Sequence, residues 1–322
     1  MNYILTYDCN KGCPYCFAAT VRNEKKEKKH MTIGSFRKLL DKSNSRVKLL
    51  GGEPTQHPEF DKILDELILR RRQFTLISNF LFNEDILKLI LNAIQYCDVS
   101  FLINATDLDK KDRISIWALN YLAIYKALYK VDNENKVTIG LTLEAKKDYK
   151  YYLDYIDFLL KYIEKFETLR LSLDFSVKNS DGDFDFINNK EYGKKLLYIT
   201  KKAIDNGANV SIDCNVYPCI FLNKEEYKYI NKFSTHPVEF VCSGRIPADI
   251  FPDETMSYCY PLKKLNVDTN NYDKLEDSMN ALKVKYDIIK SQQILPSVCN
   301  ECSFHKSKIC AGPSLCSYGN KI

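Results

Sequence analysis

Short apolar runs alternate with longer stretches of helical period across the first two hundred residues, and this alternation limits the fold more than any other feature of the chain. The runs Tyr3–Tyr7, Arg46–Leu50, Phe74–Ser78, Val99–Ile103, Val137–Leu143 and Leu169–Phe175 read as strands. Residues 33–43, 58–71, 84–95, 112–130, 149–166 and 189–206 read as helices. Thr32 stands at an N-cap position ahead of Ile33, Phe36, Leu39 and Leu40. The stripe Leu153, Ile156, Leu159, Leu160 and Ile163 is a core face rather than a cofactor contact. Strand–helix alternation implies parallel strands joined by right-handed crossovers, which makes the class α/β. Six such units fall short of the eight in a closed barrel. Chemistry in parallel α/β folds collects at the carboxyl ends of strands, so the loops there are the candidates.

The first of those loops is Cys9-Asn10-Lys11-Gly12-Cys13-Pro14-Tyr15-Cys16. Its C-x3-C-x2-C spacing can aim three thiolates at one centre. A structural zinc takes four ligands in a closed tetrahedron, so a zinc loop would borrow a distant fourth cysteine. Iron–sulfur clusters are also held by thiolates, and a cubane held at three corners keeps one iron open. Of the 12 cysteines, three lie here, Cys97 stands alone in an apolar context that reads as core, and the rest begin at Cys214. Crowding at two ends of a chain from a reducing compartment reads as metal chemistry, not disulfides.

No apolar run approaches the ~20 residues of a membrane span, and Met1–Asp8 lacks the pattern of a signal peptide. The expectation is a cytoplasmic protein without a membrane partner. The net charge of +5 is small and the lysines are dispersed, which argues against nucleic acid as the partner. The mixed-charge stretch Arg22–His30 reads as a solvated loop, and Asn179–Asp183 as a turn-rich connection. His57 and His305 lie near motifs without a visible carboxylate partner, so surface or supporting positions are expected for them.

The cysteine loop, with Tyr15 before its third cysteine and Phe17 after it, resembles that of the radical S-adenosylmethionine (radical SAM) enzymes. About 35 residues after Cys16, behind the second strand, Gly51-Gly52-Glu53-Pro54 resembles the element that binds the methionine amino group in that family. The third strand ends in Ser78-Asn79-Phe80, where the family often carries Thr/Ser-Asn-Gly, and Phe80 replaces the glycine. The resemblance covers about residues 1–213 and implies a partial (βα)6 TIM-like barrel. It implies that Cys9, Cys13 and Cys16 hold a [4Fe–4S] cluster whose open iron chelates SAM. Tyr15, Gly51, Gly52, Glu53, Pro54, Ser78 and Asn79 would then line the SAM site. Asn104 would face the ribose or carboxylate, while Thr142 and Glu144 end the strand that resembles the adenine-contacting one. These last three read equally well as ordinary polar strand ends.

From Cys214 onward the pattern changes. Cys242 and Cys259 flank a stretch containing the turn Phe251-Pro252-Asp253-Glu254, a helix follows at Leu275–Ile289, and then Cys299-x2-Cys302-x7-Cys310-x5-Cys316. This resembles the SPASM extension, or its shorter relative twitch, and implies a small auxiliary-cluster domain over 214–322 with one or two further [4Fe–4S] clusters. Twitch logic assigns Cys242, Cys259, Cys299 and Cys302 to one cluster. SPASM logic divides all six, with Cys214 or Cys219, between two. The chain departs from the usual C-x2-C-x5-C-x3-C run, and Glu254 stands where the hairpin usually has glycine. Cys214 and Cys219 follow a last strand, Asn209–Asp213. They read as cluster ligands, as catalytic hydrogen-atom donors to a substrate radical, or as apolar filling. A zinc ribbon is the competing reading of the region.

The leading expectation is therefore an enzyme that generates a 5′-deoxyadenosyl radical to abstract hydrogen from a peptide or protein. The resemblance implies an electron donor such as flavodoxin or ferredoxin. With the first strand starting at residue 3, a separate leader-peptide-binding protein or the barrel face itself would recognise a leader. The alternatives are a twitch-type small-molecule alcohol dehydrogenase or oxidase, and a zinc or iron–sulfur scaffold without catalysis.

Overall fold

The computed structural model describes residues 1–16, 18–23, 28–109, 113–131, 136–163, 165–174, 189–213, 216–235, 248–313 and 315. Cys214, Cys242 and Cys316 lie outside the described residues, as do Phe17 and the connection Asn179–Asp183. In chain order the strands are β1 (Asn2–Thr6), β2 (Val47–Gly51), β3 (Phe74–Ser78), β4 (Val99–Asn104) and β5 (Val137–Leu143). They continue as β6 (Thr168–Leu173), β7 (Asn209–Ile212), β8 (Asp249–Ile250), β9 (Thr255–Ser257) and β10 (Asn266–Asp268). The helices begin with α1 (Ala19–Asn23), α2 (Ile33–Asp41), α3 (Phe60–Leu69), α4 (Glu84–Tyr96) and α5 (Arg113–Tyr129). After them come α6 (Tyr149–Leu160), α7 (Lys190–Asp205), α8 (Lys224–Phe233), α9 (Leu275–Ser291), α10 (Ser297–Asn300) and α11 (Ser303–Lys306). The class is α/β with parallel strands, as the alternation requires.

The chain forms two compact units. The first comprises Met1–Pro14, Ala18–Val137 and Pro247–Asp287. Its strands run in the order β10-β9-β8-β1-β2-β3-β4. Strands β8, β1, β2, β3 and β4 pair in parallel, while β9 and β10 return antiparallel. Thr32 caps α2 as its position implies, its hydroxyl accepting from the Ser35 amide at 3.1 Å. Leu49, Phe74, Leu76 and Phe101 on the strands and Phe36, Leu39, Ile63 and Leu67 on the helices are all buried and form the core of this unit. Each such side chain contributes roughly 1.5–3 kcal/mol by leaving water. Cys97 is part of this core, as expected.

The hairpin expected around Phe251–Glu254 joins β8 to β9. Glu254 adopts φ +64°, the conformation a glycine would take without cost. An L-residue there loses about 1–2 kcal/mol. Its carboxylate offsets this by accepting from Ser35 Oγ at 2.6 Å and Lys38 Nζ at 3.3 Å on α2.

The second unit comprises Tyr15–Phe17, Thr138–Ile246 and Ile288–Ile322. Its strands β5, β6 and β7 pair in parallel in that order. Helices α6 and α7 pack on each other, and α7 packs on α8. The buried face of α6 is Tyr152, Tyr155, Ile156 and Leu159, so the stripe is centred between Leu153 and Leu160 rather than on them. Asp148 caps α6 through the Tyr151 amide at 2.9 Å, and Asn189 caps α7 through the Glu191 amide at 3.0 Å.

Candidate active site

The cysteine loop leaves β1 and is pinned to the ends of the neighbouring strands. The Glu53 amide donates to Asp8 O at 2.7 Å, and the Gly52 amide to Thr6 O at 2.7 Å. Asn10 Nδ2 donates to Leu81 O at 2.7 Å, and Asn10 Oδ1 accepts from Asn79 Nδ2 at 2.8 Å. Lys11, 6% exposed, extends to Thr106 O at 2.6 Å beyond β4. Burial holds the Lys11 ammonium below its ordinary pKa, against the pull of Cys13 and Asp107. Asn10 and Lys11 were not singled out in the sequence.

Cys9 and Cys13 are partly buried thiols. Burial pushes Cys9 up, while the Lys11 amide, donating to Cys9 Sγ at 3.4 Å, pulls it back toward the thiolate. Cys13 lies near enough for its charge to bear on Cys9. Cys16 is half-buried and follows in the same loop, with Tyr15 half-buried beside it in sequence.

Both glycines of the Gly-Gly element are required by close approach. A Cβ on Gly51, at φ +155°, would stand 2.4 Å from Thr6 O, and one on Gly52 would stand 2.0 Å from Asp8 O. Glu53 is 1% exposed. Its Oε1 accepts from Ser78 Oγ at 2.8 Å, Thr55 Oγ1 at 2.9 Å and the Thr55 amide at 3.3 Å. Its Oε2 accepts from the Asn79 amide at 2.8 Å. A carboxylate has about four lone-pair positions, and all four bonds found here come from protein donors. Burial raises the Glu53 pKa, and those four bonds oppose it. Pro54 is buried at the start of the turn that follows.

Ser78 and Asn79 are buried. Phe80 adopts φ +59° with its ring wholly buried between Phe82 and Phe101. Asn120 Nδ2 donates to Phe80 O at 2.9 Å and to Phe82 O at 3.0 Å, which holds this strained turn. The backbone freedom in doubt at this position is thus obtained without glycine. His57, expected at the surface or in support, is buried, with Nε2 2.8 Å from Met31 O. Burial lowers its pKa. Asn104 is exposed at the end of β4.

In the second unit, Thr142 Oγ1 lies 3.1 Å from Ser172 Oγ, and Glu144 Oε1 lies 2.7 Å from Lys147 Nζ. Near them Tyr192 OH donates to Asp174 Oδ1 at 2.5 Å. Lys195 donates to Glu144 O at 2.6 Å and Ala145 O at 2.9 Å.

The same unit contains a cavity of about 290 Å³, counting its open mouth, lined by Cys219, Cys299, Cys302 and Cys310. Cys219 sits in the turn Pro218–Ile220, whose backbone is held by Lys190 Nζ donating to Cys219 O and Phe221 O. Gly193 of α7 lets that turn approach, since a Cβ there would stand 2.3 Å from Ile220 O. Burial pushes the Cys219 thiol up to about 12, with further upward contributions from Cys310, Cys302 and Cys299. Cys259 follows β9 in the first unit, just before the turn Tyr260–Leu262, and is not among the lining residues.

Among the described residues no three His, Cys, Asp or Glu side chains are gathered closely enough to hold a metal ion. Four sulfurs round one zinc stand about 3.8 Å apart, as 2.3 Å bonds in a tetrahedron require. The four thiols of the second unit line a cavity instead. A multi-iron cluster fits that donor chemistry, with reduced cysteines and an amide aimed at a sulfur.

Residues 3–159 match the Radical SAM superfamily. No curated protein sequence matches the chain. Among solved structures, Streptococcus suis SuiB bound to S-adenosylmethionine is similar with a TM-score of 0.57 at 14% identity, over 95% of this chain and 70% of that one. SuiB bound to its precursor peptide SuiA gives 0.57 at 16% identity, over 95% and 69%. Such identities establish the fold, a likeness that accords with a partial TIM-like barrel. The pinned cysteine loop, the Gly-Gly-Glu-Pro turn and the family match lie on the same stretch of chain. Residues 3–159 therefore constitute a Radical SAM superfamily domain.

Proposed function

We propose that this enzyme modifies a peptide or protein, with Cys9, Cys13 and Cys16 holding the [4Fe–4S] cluster and the Gly51-Gly52-Glu53 turn positioning SAM. When bound, the cluster and SAM supply a 5′-deoxyadenosyl radical that abstracts a hydrogen atom. The observation that carries the reading is the three-point anchoring of the cysteine loop, through Glu53, Asn10 and Lys11, to the ends of β2, β3 and β4. Because Glu53 spends its carboxylate on Ser78, Thr55 and Asn79, it acts by fixing the loop backbone. An incoming ammonium group then meets the backbone carbonyls of the turn. Asn104, exposed at a strand end, is available to the cofactor's polar groups.

The peptide assignment draws on SuiB, a structural neighbour that was crystallised with its precursor peptide. The region from Cys214 onward carries at least one auxiliary cluster, and an electron donor of the flavodoxin or ferredoxin class reduces the enzyme. Anaerobic reconstitution with iron and sulfide, reduction, and addition of SAM tests the chemistry. Formation of 5′-deoxyadenosine that is absent in Cys9/Cys13/Cys16→Ala is expected. Co-expression with short peptides encoded beside the gene tests the substrate through their mass. Oxidation of a small alcohol with every peptide unaltered would overturn the peptide assignment in favour of a twitch-type dehydrogenase.

A further inference from the structure

On the outer faces of α6, α7 and α8, all in the second unit, aromatic rings stand where a surface helix usually presents charge. Tyr149 at the start of α6 stacks on Tyr198 of α7, with centroids 4.4 Å apart and planes inclined by 19°. Tyr198 is 41% exposed. Lys201 of α7 holds its ammonium 5.8 Å from the Tyr198 ring and 5.5 Å from the Tyr229 ring of α8. Tyr229 packs on Phe233 at 4.7 Å, and Lys232 lies over the Phe233 ring at 5.2 Å. Helix α7 packs against both α6 and α8, so rings and cations form one ridge across the three. On the peptide-modifying reading given above, we propose that this ridge binds an acidic, extended segment of the substrate peptide, outside the part of it that reacts.

Charge selects the partner. On the same helices Lys194 pairs with Glu191 at 2.6 Å, Lys202 with Asp157 at 2.6 Å and Lys228 with Glu225 at 2.8 Å. Among the described residues no carboxylate pairs with Lys201 or Lys232, so the two cations that rest on rings keep their charge for a ligand. A lysine seated on an aromatic face has fewer conformations to lose when a carboxylate arrives. The rings add flat apolar area with only two torsions each to fix, as tyrosine-rich binding surfaces do.

A chain of phosphates fits this surface poorly. Glu191, Asp157 and Glu225 are interspersed with the lysines and would repel a uniformly charged backbone. A peptide can instead set a carboxylate against each free cation and an apolar side chain against the rings between them. Packed helices lie roughly 8–10 Å apart, so three of them span about 20 Å, the reach of roughly six extended residues. In parallel α/β folds the chemistry lies at the carboxyl ends of the strands. A segment held on the outer helix faces is therefore a handle, separate from the residue that loses hydrogen.

The test uses the full chain and a fluorescein-labelled peptide of alternating glutamate and leucine, followed by fluorescence anisotropy. Saturable binding that weakens as salt is raised is expected. Lys201→Glu combined with Lys232→Glu should weaken it about tenfold or more, while Lys201→Arg should retain it. Tyr198→Ala should weaken it about threefold to tenfold with little change in Tm, because the ring is already half in water. Lys62→Glu with Lys88→Glu, a matched change of charge on α3 and α4, should leave binding within about twofold. Absence of binding, equal weakening by the matched pair, or tighter binding of a labelled oligothymidylate would each overturn the proposal. In turnover of a peptide encoded beside the gene, the double reversal should raise KM about tenfold at unchanged kcat. An unchanged KM would refute the ridge and leave the peptide-modifying reading standing. Oxidation of a small alcohol, with every peptide unaltered by the native chain, would remove both together.

Discussion

The Glu53 carboxylate accepts the Asn79 backbone amide at 2.8 Å, joining the turn after β2 to the end of β3 from inside the protein. A side chain that the sequence offers as a cofactor contact is thereby also a structural clamp. In Glu53→Gln a single accepting oxygen replaces two, so either the amide of Asn79 or the hydroxyls of Ser78 and Thr55 lose their acceptor. A buried unsatisfied donor costs about 1–3 kcal/mol. Glu53→Gln should lower stability by that amount in urea denaturation.

Gly52→Ala places a methyl group 2.0 Å from Asp8 O, a backbone atom that cannot swing aside. The loop carrying Cys9 must shift. The expected outcome is a loss of about 2–4 kcal/mol, at the large end for single substitutions. Iron bound at the first loop should fall with it, read by iron analysis after reconstitution.

Phe80 sets two effects against each other, because its ring is buried while its backbone is strained. Removing the ring costs roughly 3–5 kcal/mol, and relieving a left-handed L-residue returns about 1–2 kcal/mol. Both Phe80→Ala and Phe80→Gly should therefore be less stable than the native chain. Phe80→Gly should be the more stable of the two, although alanine normally wins such comparisons. Thermal denaturation of the pair decides it.

Glu66 on α3 accepts from Arg37 Nε at 2.7 Å and Arg70 Nε at 2.6 Å. Burial alone would raise its pKa, but the two guanidinium groups outweigh it and hold the carboxyl below its ordinary value. A depressed carboxyl contributes stability that is complete above the unfolded pKa and lost as pH falls through the folded one. Arg37 is more exposed than not, which screens its share. Glu66→Gln should cost about 1–2 kcal/mol at pH 7. The gap to the native chain should close progressively below the ordinary glutamate range in denaturation curves recorded at several pH values.

Periodicity located Phe74–Ser78 and Val137–Leu143 to the residue, because each strand is bounded by turn chemistry and its hydrophobic pattern belongs to one period. Helix α8 left a fainter trace. Asn223 caps it through the amides of Glu225 and Glu226, but Ile230 is its one fully buried residue, so no apolar stripe announces it. The cysteine and Gly-Gly loops were legible because their chemistry is written in adjacent residues. The meeting of Cys219 with Cys299 was not, since it depends on Gly193 admitting a turn from another part of the chain. Nor could sequence show that Asn10 and Lys11 anchor the first loop, as their partners are backbone carbonyls, which every residue has.

Strand β8 lies beside β1 in parallel, through Asn2 opposite Asp249 and Tyr3 opposite Ile250. The strand that launches the cysteine loop is therefore an inner member of its sheet, paired on both flanks. An open flank would invite pairing with another molecule. The late segment thus acts as a seal, and a polypeptide cut before Ala248 would expose a sticky border next to the cysteine loop, trading a folded monomer for aggregate.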